Sequence, residues 1–198
     1  MSIEKQSGTK EYISILWQKF TEGDHEAFSQ LYLYFRPRLL HYGLKIHPAP
    51  ELIEDCIQDL FYQLYFLGEK QHDIENITVY VFISLRRKIL RTLHIQRRFQ
   101  SVSHNPEIFE TAITFSPEDM IISSEHERLK ATGLTAILNH LSPRQREIVY
   151  LRYYNGLDNR EIAGVLGISY QVVQNVIYKA FKKLRNAYPK QQINNFFP

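Results

Sequence analysis

Cysteine is almost missing from this 198-residue chain, Cys56 being the only one. A single thiol excludes an internal disulfide framework and thiolate zinc clusters, and it suits a reducing compartment. Long hydrophobic runs are missing too. No apolar stretch approaches the roughly 18 residues that span a bilayer, and the N-terminus MSIEKQSGTKE lacks the apolar core of a signal peptide. A cytoplasmic protein without membrane insertion is expected. Catalytic signatures are equally scarce. The eight histidines at 25, 41, 47, 72, 94, 104, 126 and 140 show no HExxH spacing, and there is no Walker-type or GxGxxG loop. The expectation is a protein that is not an enzyme and needs no cofactor or metal.

What the chain does have is a strong segregation of charge. The net charge is only +3. Residues 47–60 nevertheless carry Glu51, Glu54, Asp55 and Asp59 with no Lys or Arg, whereas 86–98 carry Arg86, Arg87, Lys88, Arg91, Arg97 and Arg98 with no acid. The alternation repeats: 101–127 holds six acids and no base, and 169–190 holds Lys179, Lys182, Lys183, Arg185 and Lys190 without an acid. Two basic helical segments separated by acidic ones imply nucleic acid at two places and a different partner elsewhere.

Apolar residues recur with helical rather than alternating period, and no hairpin signal stands out, so the fold class is expected to be all-α. Helix starts are marked by Asp24 before HEAF, Ser116-Pro117, Ser142-Pro143 with Gln145, and Asp158 with Glu161. In each, a side-chain acceptor at the cap meets backbone N–H groups that have no partner within the helix. Gly43, the HPAP of 47–50, Gly68, Gly156 and Gly167 are expected to interrupt helical runs. The stretch FQSVSHNPEIFETAITFS, 99–116, lacks a sustained period. It divides the chain into helical domains at 1–98 and 125–187, joined by an acidic linker over 99–124 and followed by a tail at 188–198.

Within the second domain, GVLGISYQVVQN (164–175) reads as the end of one short helix, a tight Gly-Ile turn, and the Ser169-capped start of another running to about Arg185. This is a helix-turn-helix pattern. On the second helix Val173, Val176, Ile177, Ala180 and Leu184 gather on one face. Gln171, Gln174, Asn175, Tyr178, Lys182 and Arg185 gather on the other, next to the capping Ser169. Asn and Gln amides can each donate to and accept from an adenine edge, while Lys182 and Arg185 suit phosphates. A solvated face on an ordinary bundle is the alternative.

The longer stretch LSPRQREIVYLRYYNGLDNREIAGVLGIS resembles the fourth conserved region of bacterial sigma-70 family sigma factors. Output domains of LuxR-type regulators look similar over the same residues. GDHEAFSQLYLYFRPRLLHYG (23–43) and IEDCIQDLFYQLYF (53–66) resemble the start of the second conserved region of the extracytoplasmic-function (ECF) group. The likeness covers about 11–98 and 125–187, both regions in order, with no room for the third region of larger sigma factors.

On 53–67 the apolar face is Ile53, Cys56, Ile57, Leu60, Leu64 and Leu67; Asp55, Gln58, Asp59, Tyr62 and Phe66 lie opposite. Outward aromatics beside acids suit a protein interface. The resemblance assigns Asp55, Gln58, Asp59 and Tyr62 to the β′ clamp helices of core RNA polymerase. On 79–98 Phe82, Leu85, Ile89 and Leu93 oppose Tyr80, Ser84, Arg87, Arg91, His94 and Arg98. The resemblance assigns that second set, with the loop 68–77, to binding and melting the minus-ten promoter element, and the outward face of 169–185 to the minus-thirty-five element. The family commonly has Asn where Arg87 stands. Arg86, nearer the apolar face, is expected to pair with an acid of a neighbouring helix. The resemblance implies a sigma factor whose partners are core polymerase, promoter DNA and an anti-sigma factor. Two other readings stay open: a stand-alone LuxR-like helix-turn-helix regulator, and a helical adaptor that binds no DNA.

Overall fold

The computed structural model describes residues 3–67, 73–100, 113–116 and 125–187. All regular structure among them is helical, in two compact units. The first holds α1 (Ile3–Thr21), α2 (His25–Ile46), α3 (Pro50–Tyr65) and α4 (Ile77–Gln100); the second holds α5 (Glu125–Asn139), α6 (Pro143–Tyr153), α7 (Asn159–Leu166) and α8 (Tyr170–Ala187).

In the first unit α2 is the central helix and packs against α1, α3 and α4. Its start follows from Asp24, whose carboxylate accepts from the N–H groups of Glu26 (2.9 Å) and Ala27 (3.2 Å). From there Ala27, Leu31, Phe35, Leu39 and Tyr42 recur every three or four residues and are all buried. Leu16, Trp17 and Phe20 of α1, Ile53, Ile57 and Leu64 of α3, and Val81, Phe82, Leu85 and Ile89 of α4 complete this core. Each such side chain contributes about 1.5–3 kcal/mol through removal from water.

Gly43 does not end α2, contrary to expectation. The helix runs on to Ile46, and Gly43 is buried where a Cβ would collide with the side chain of Ile53 on α3. The glycine is there for close approach of two helices, not for a turn. The stop comes at His47, whose N–H still reaches Gly43 C=O at 2.9 Å, ahead of Pro50 in the first turn of α3. Pro117 and Gly68 lie outside the described residues.

The second unit is held by α8 packing on α5 and α6. Ser142 and Gln145 form a reciprocal capping box at α6, with Gln145 N–H donating to Ser142 Oγ and Ser142 N–H donating to Gln145 Oε1. Ile113 to Ser116, read from sequence as part of the linker, instead belong with this unit. Ile113 and Phe115 are buried, and Asn139 clamps the backbone of Phe115 through two 2.9 Å hydrogen bonds, accepting from its N–H and donating to its C=O. The Phe115 ring faces Tyr150 and Tyr154. Two apolar residues in three cannot reveal a helical period, but an extended segment needs only the alternation of Ile-Thr-Phe to bury one side. Residues 101–112 and 117–124 of the linker, and the tail at 188–198, lie outside the described residues.

Candidate nucleic-acid and protein interfaces

The helix-turn-helix forms as the sequence suggests. Asp158 Oδ1 accepts from the N–H groups of Arg160 (2.8 Å) and Glu161 (3.0 Å), and Glu161 Oε2 accepts from Asp158 N–H at 2.7 Å, which closes a second capping box on α7. Helix α7 ends at Gly167, whose φ of 63° is open to glycine at little cost. Ile168 N–H then bonds back to Ala163 C=O at 3.1 Å, and Ser169 Oγ accepts from Val172 N–H at 3.3 Å to start α8.

Along α8, Val173 and Ala180 are buried and Val176 and Ile177 half-buried. Ser169, Gln171, Gln174, Asn175, Tyr178 and Lys182 are exposed, Tyr178 at 61%. The two faces therefore fall where the sequence puts them. The side chains of Leu184 and Arg185 lie outside the described residues. One participant was missed: Tyr170, 44% exposed, accepts a 3.0 Å hydrogen bond from Gln174 Nε2. Its signal was the four-residue spacing, which stacks the two side chains on adjacent turns.

In the first unit, Arg87, Arg91 and His94 of α4 are exposed, while Tyr80 and Ser84 are half-buried near its start. Asn76 caps this helix by accepting from Val79 N–H at 3.1 Å. Arg98 lies outside the described side chains, as does the 68–72 part of the adjoining loop. Arg86 is half-buried. A cross-helix ion pair joins α4 to α3 through Lys88, whose Nζ sits 3.1 Å from Asp59. With the Asp59 carboxylate mostly in water, this pair is worth on the order of 0.2–1 kcal/mol.

On α3, Asp55, Gln58, Asp59 and Tyr62 are all exposed, as the sequence implies, and Cys56 faces inward. Tyr62 and Phe66 are 67% and 66% exposed, with ring centroids 4.8 Å apart. Two large rings held in water beside two acids form an apolar step on an anionic face. Burial pushes the Cys56 thiol up, and the hydrogen bond to Thr92 and the charge of Lys88 only partly oppose this. The thiol stays protonated near neutrality and is a poor nucleophile. Among the described residues no group of three His, Cys, Asp or Glu could hold a metal ion, and no helix is long and apolar enough to cross a membrane.

Residues 132–184, which contain this helix-turn-helix, match the family described as Sigma-70, region 4. The chain is 30% identical over 130 residues to RNA polymerase sigma-B factor of Bacillus subtilis, covering 63% of this chain and 49% of that protein. It is 23% identical over 176 residues to the ECF RNA polymerase sigma factor BldN of Streptomyces coelicolor, covering 88% and 65%. Among solved structures, the sigma factor RpoE in complex with the anti-sigma factor NepR, from Bartonella quintana, superposes with a TM-score of 0.53 at 21% identity, covering 81% of this chain and 95% of that one. That likeness establishes the shared fold. Over these stretches the chain is similar to sigma-70 family sigma factors. The chain spans about half of sigma-B and 65% of BldN.

Proposed function

We propose that this chain is a sigma factor that joins core RNA polymerase, selects promoters and assists their opening, without performing chemistry itself. The observation that carries the reading is the α8 surface: a capped helix of a sigma-70 region 4, free of acids, with Gln171, Gln174 and Asn175 exposed on one side and Val173 and Ala180 buried on the other. Its amides suit base edges of an intact upstream element in the major groove, and Lys182 suits the flanking phosphates.

In this reading α4 serves the minus-ten element. Arg87 and Arg91 neutralise phosphates, and Tyr80, Ser84 and His94 lie along the same helix where a base leaving the duplex is captured. Arg98 and Arg185 extend the two basic faces. Melting costs stacking energy, which contacts to the open strand must offset. The α3 face bearing Asp55, Gln58, Asp59 and Tyr62 docks on the β′ clamp helices, with Tyr62 as the buried anchor. An anti-sigma factor is the further partner, consistent with the complex in which RpoE is seen.

Reconstitution tests this directly. Purified chain mixed with core polymerase is expected to co-elute as one complex and to start transcripts at defined sites that core alone ignores. Specific DNA binding without polymerase and without any transcript would instead indicate a stand-alone regulator.

A further inference from the structure

Gln174 occupies the middle of the outward face of α8, and its amide is engaged within the chain itself. Nε2 donates to the hydroxyl of Tyr170 at 3.0 Å, and both side chains are exposed, so neither is fixed by packing into the core. A primary amide carries two donors and one acceptor. Tyr170 takes one donor. What remains is Oε1 and a single N–H.

That remainder is complementary to adenine, whose major-groove edge offers a donor at N6 and an acceptor at N7. Guanine offers two acceptors, O6 and N7, and would require both amide hydrogens to turn outward. An unrestrained glutamine can rotate to serve either purine. One tied to Tyr170 cannot do so without breaking its hydrogen bond.

We propose that Tyr170 is a positioning residue that locks the Gln174 amide in the adenine-reading orientation, and so sets discrimination against guanine at one base pair of the upstream element. The inference rests on the reading of α8 as the promoter-reading helix. Two consequences follow from the geometry. Tyr170 acts through Gln174, and it lowers the ordering cost of Gln174 on binding, because the hydrogen bond already restrains the side chain.

The test is transcription by polymerase holding Tyr170→Phe, Gln174→Ala or both variants, on promoters carrying each of the four bases at every upstream position. Gln174→Ala identifies the base pair concerned. Tyr170→Phe keeps the ring and removes only the hydroxyl, and it is expected to cut the adenine-over-guanine ratio there by about three- to tenfold, the scale of one immobilised side chain. Other upstream positions, the minus-ten preference and the thermal midpoint are expected to stay as in the wild type. In the double variant, Tyr170→Phe is expected to add nothing, since the residue acts only through Gln174. An unchanged ratio in Tyr170→Phe overturns the proposal, as does an equal fall at all bases or an additive double variant. A wild-type chain with no upstream base preference at all overturns the promoter-reading role of α8 itself, a result visible before any variant is made.

Discussion

Helices α4 and α8 are both long, both basic and both amphipathic, yet they use their polar faces differently. Helix α8 presents amides and hydroxyls first, with Lys182 further along; α4 presents Arg87 and Arg91 together, and a third cation of the run, Lys88, is already committed to Asp59 of α3. Amides carry direction, since each has a donor and an acceptor in fixed relation, and so can distinguish one base edge from another. Guanidinium groups facing phosphates hold DNA whatever its sequence. Under the proposed function, discrimination falls to the second unit and strand-holding, salt-sensitive attraction to the first.

The buried scaffold beneath α4 should respond most strongly to change. Phe35→Ala, in the middle of α2 and fully buried, is expected to lower the stability of the first unit by about 3–5 kcal/mol, read by urea denaturation. A loss confined to a few tenths would mean that α4 does not depend on that core. Next in size, replacing Gln174 and Asn175 together by Ala is expected to remove upstream base preference worth about 1–3 kcal/mol for each bidentate amide–base pair. Polymerase affinity should be unchanged, as measured by titration of core enzyme. Retained preference in that double variant would erase the distinction between the helices.

Tyr62→Ala is expected to weaken assembly with core polymerase by more than about 1 kcal/mol, as for a central aromatic anchor, while Asp59→Ala should change chiefly the salt dependence. An undiminished pull-down at both positions would move that interface away from α3. Smallest in free energy are the single phosphate contacts. Lys182→Ala and Arg91→Ala are each expected to lower the slope of log affinity against log salt by about one, equally on all sequences. A base-specific effect of Arg91→Ala would break the comparison from the side of α4.

Much of this was legible because the signals were local. Ser142 with Gln145, Asp158 with Glu161, and Gly167 before Ser169 each fix a helix end within four residues, and all three are found as capping boxes, a positive-φ turn and a cap. The faces of α3 and α8 followed from period alone, because one side of each is packed and the other is not. What escaped the sequence depended on contacts distant along the chain. Gly43 looks like a stop until Ile53 of the next helix is seen lying against it. Ile113 and Phe115 look like linker until Asn139, 24 residues beyond Phe115, is seen clamping the backbone. The choice of Lys88 as the partner of Asp59 likewise required the register of α3 on α4. Tyr170 differs from these: its partner is one turn away, and the hydrogen bond could have been anticipated from spacing.

The most direct measurement is transcription by core polymerase plus this chain on a promoter library randomised over both elements, run with wild type and with the Gln174→Ala, Asn175→Ala double variant. The account predicts defined preferences at two separated blocks of sequence in the wild type, with the double variant losing the upstream block and keeping the downstream one. Equal loss of both blocks, or no selected sequence with either protein, would contradict it.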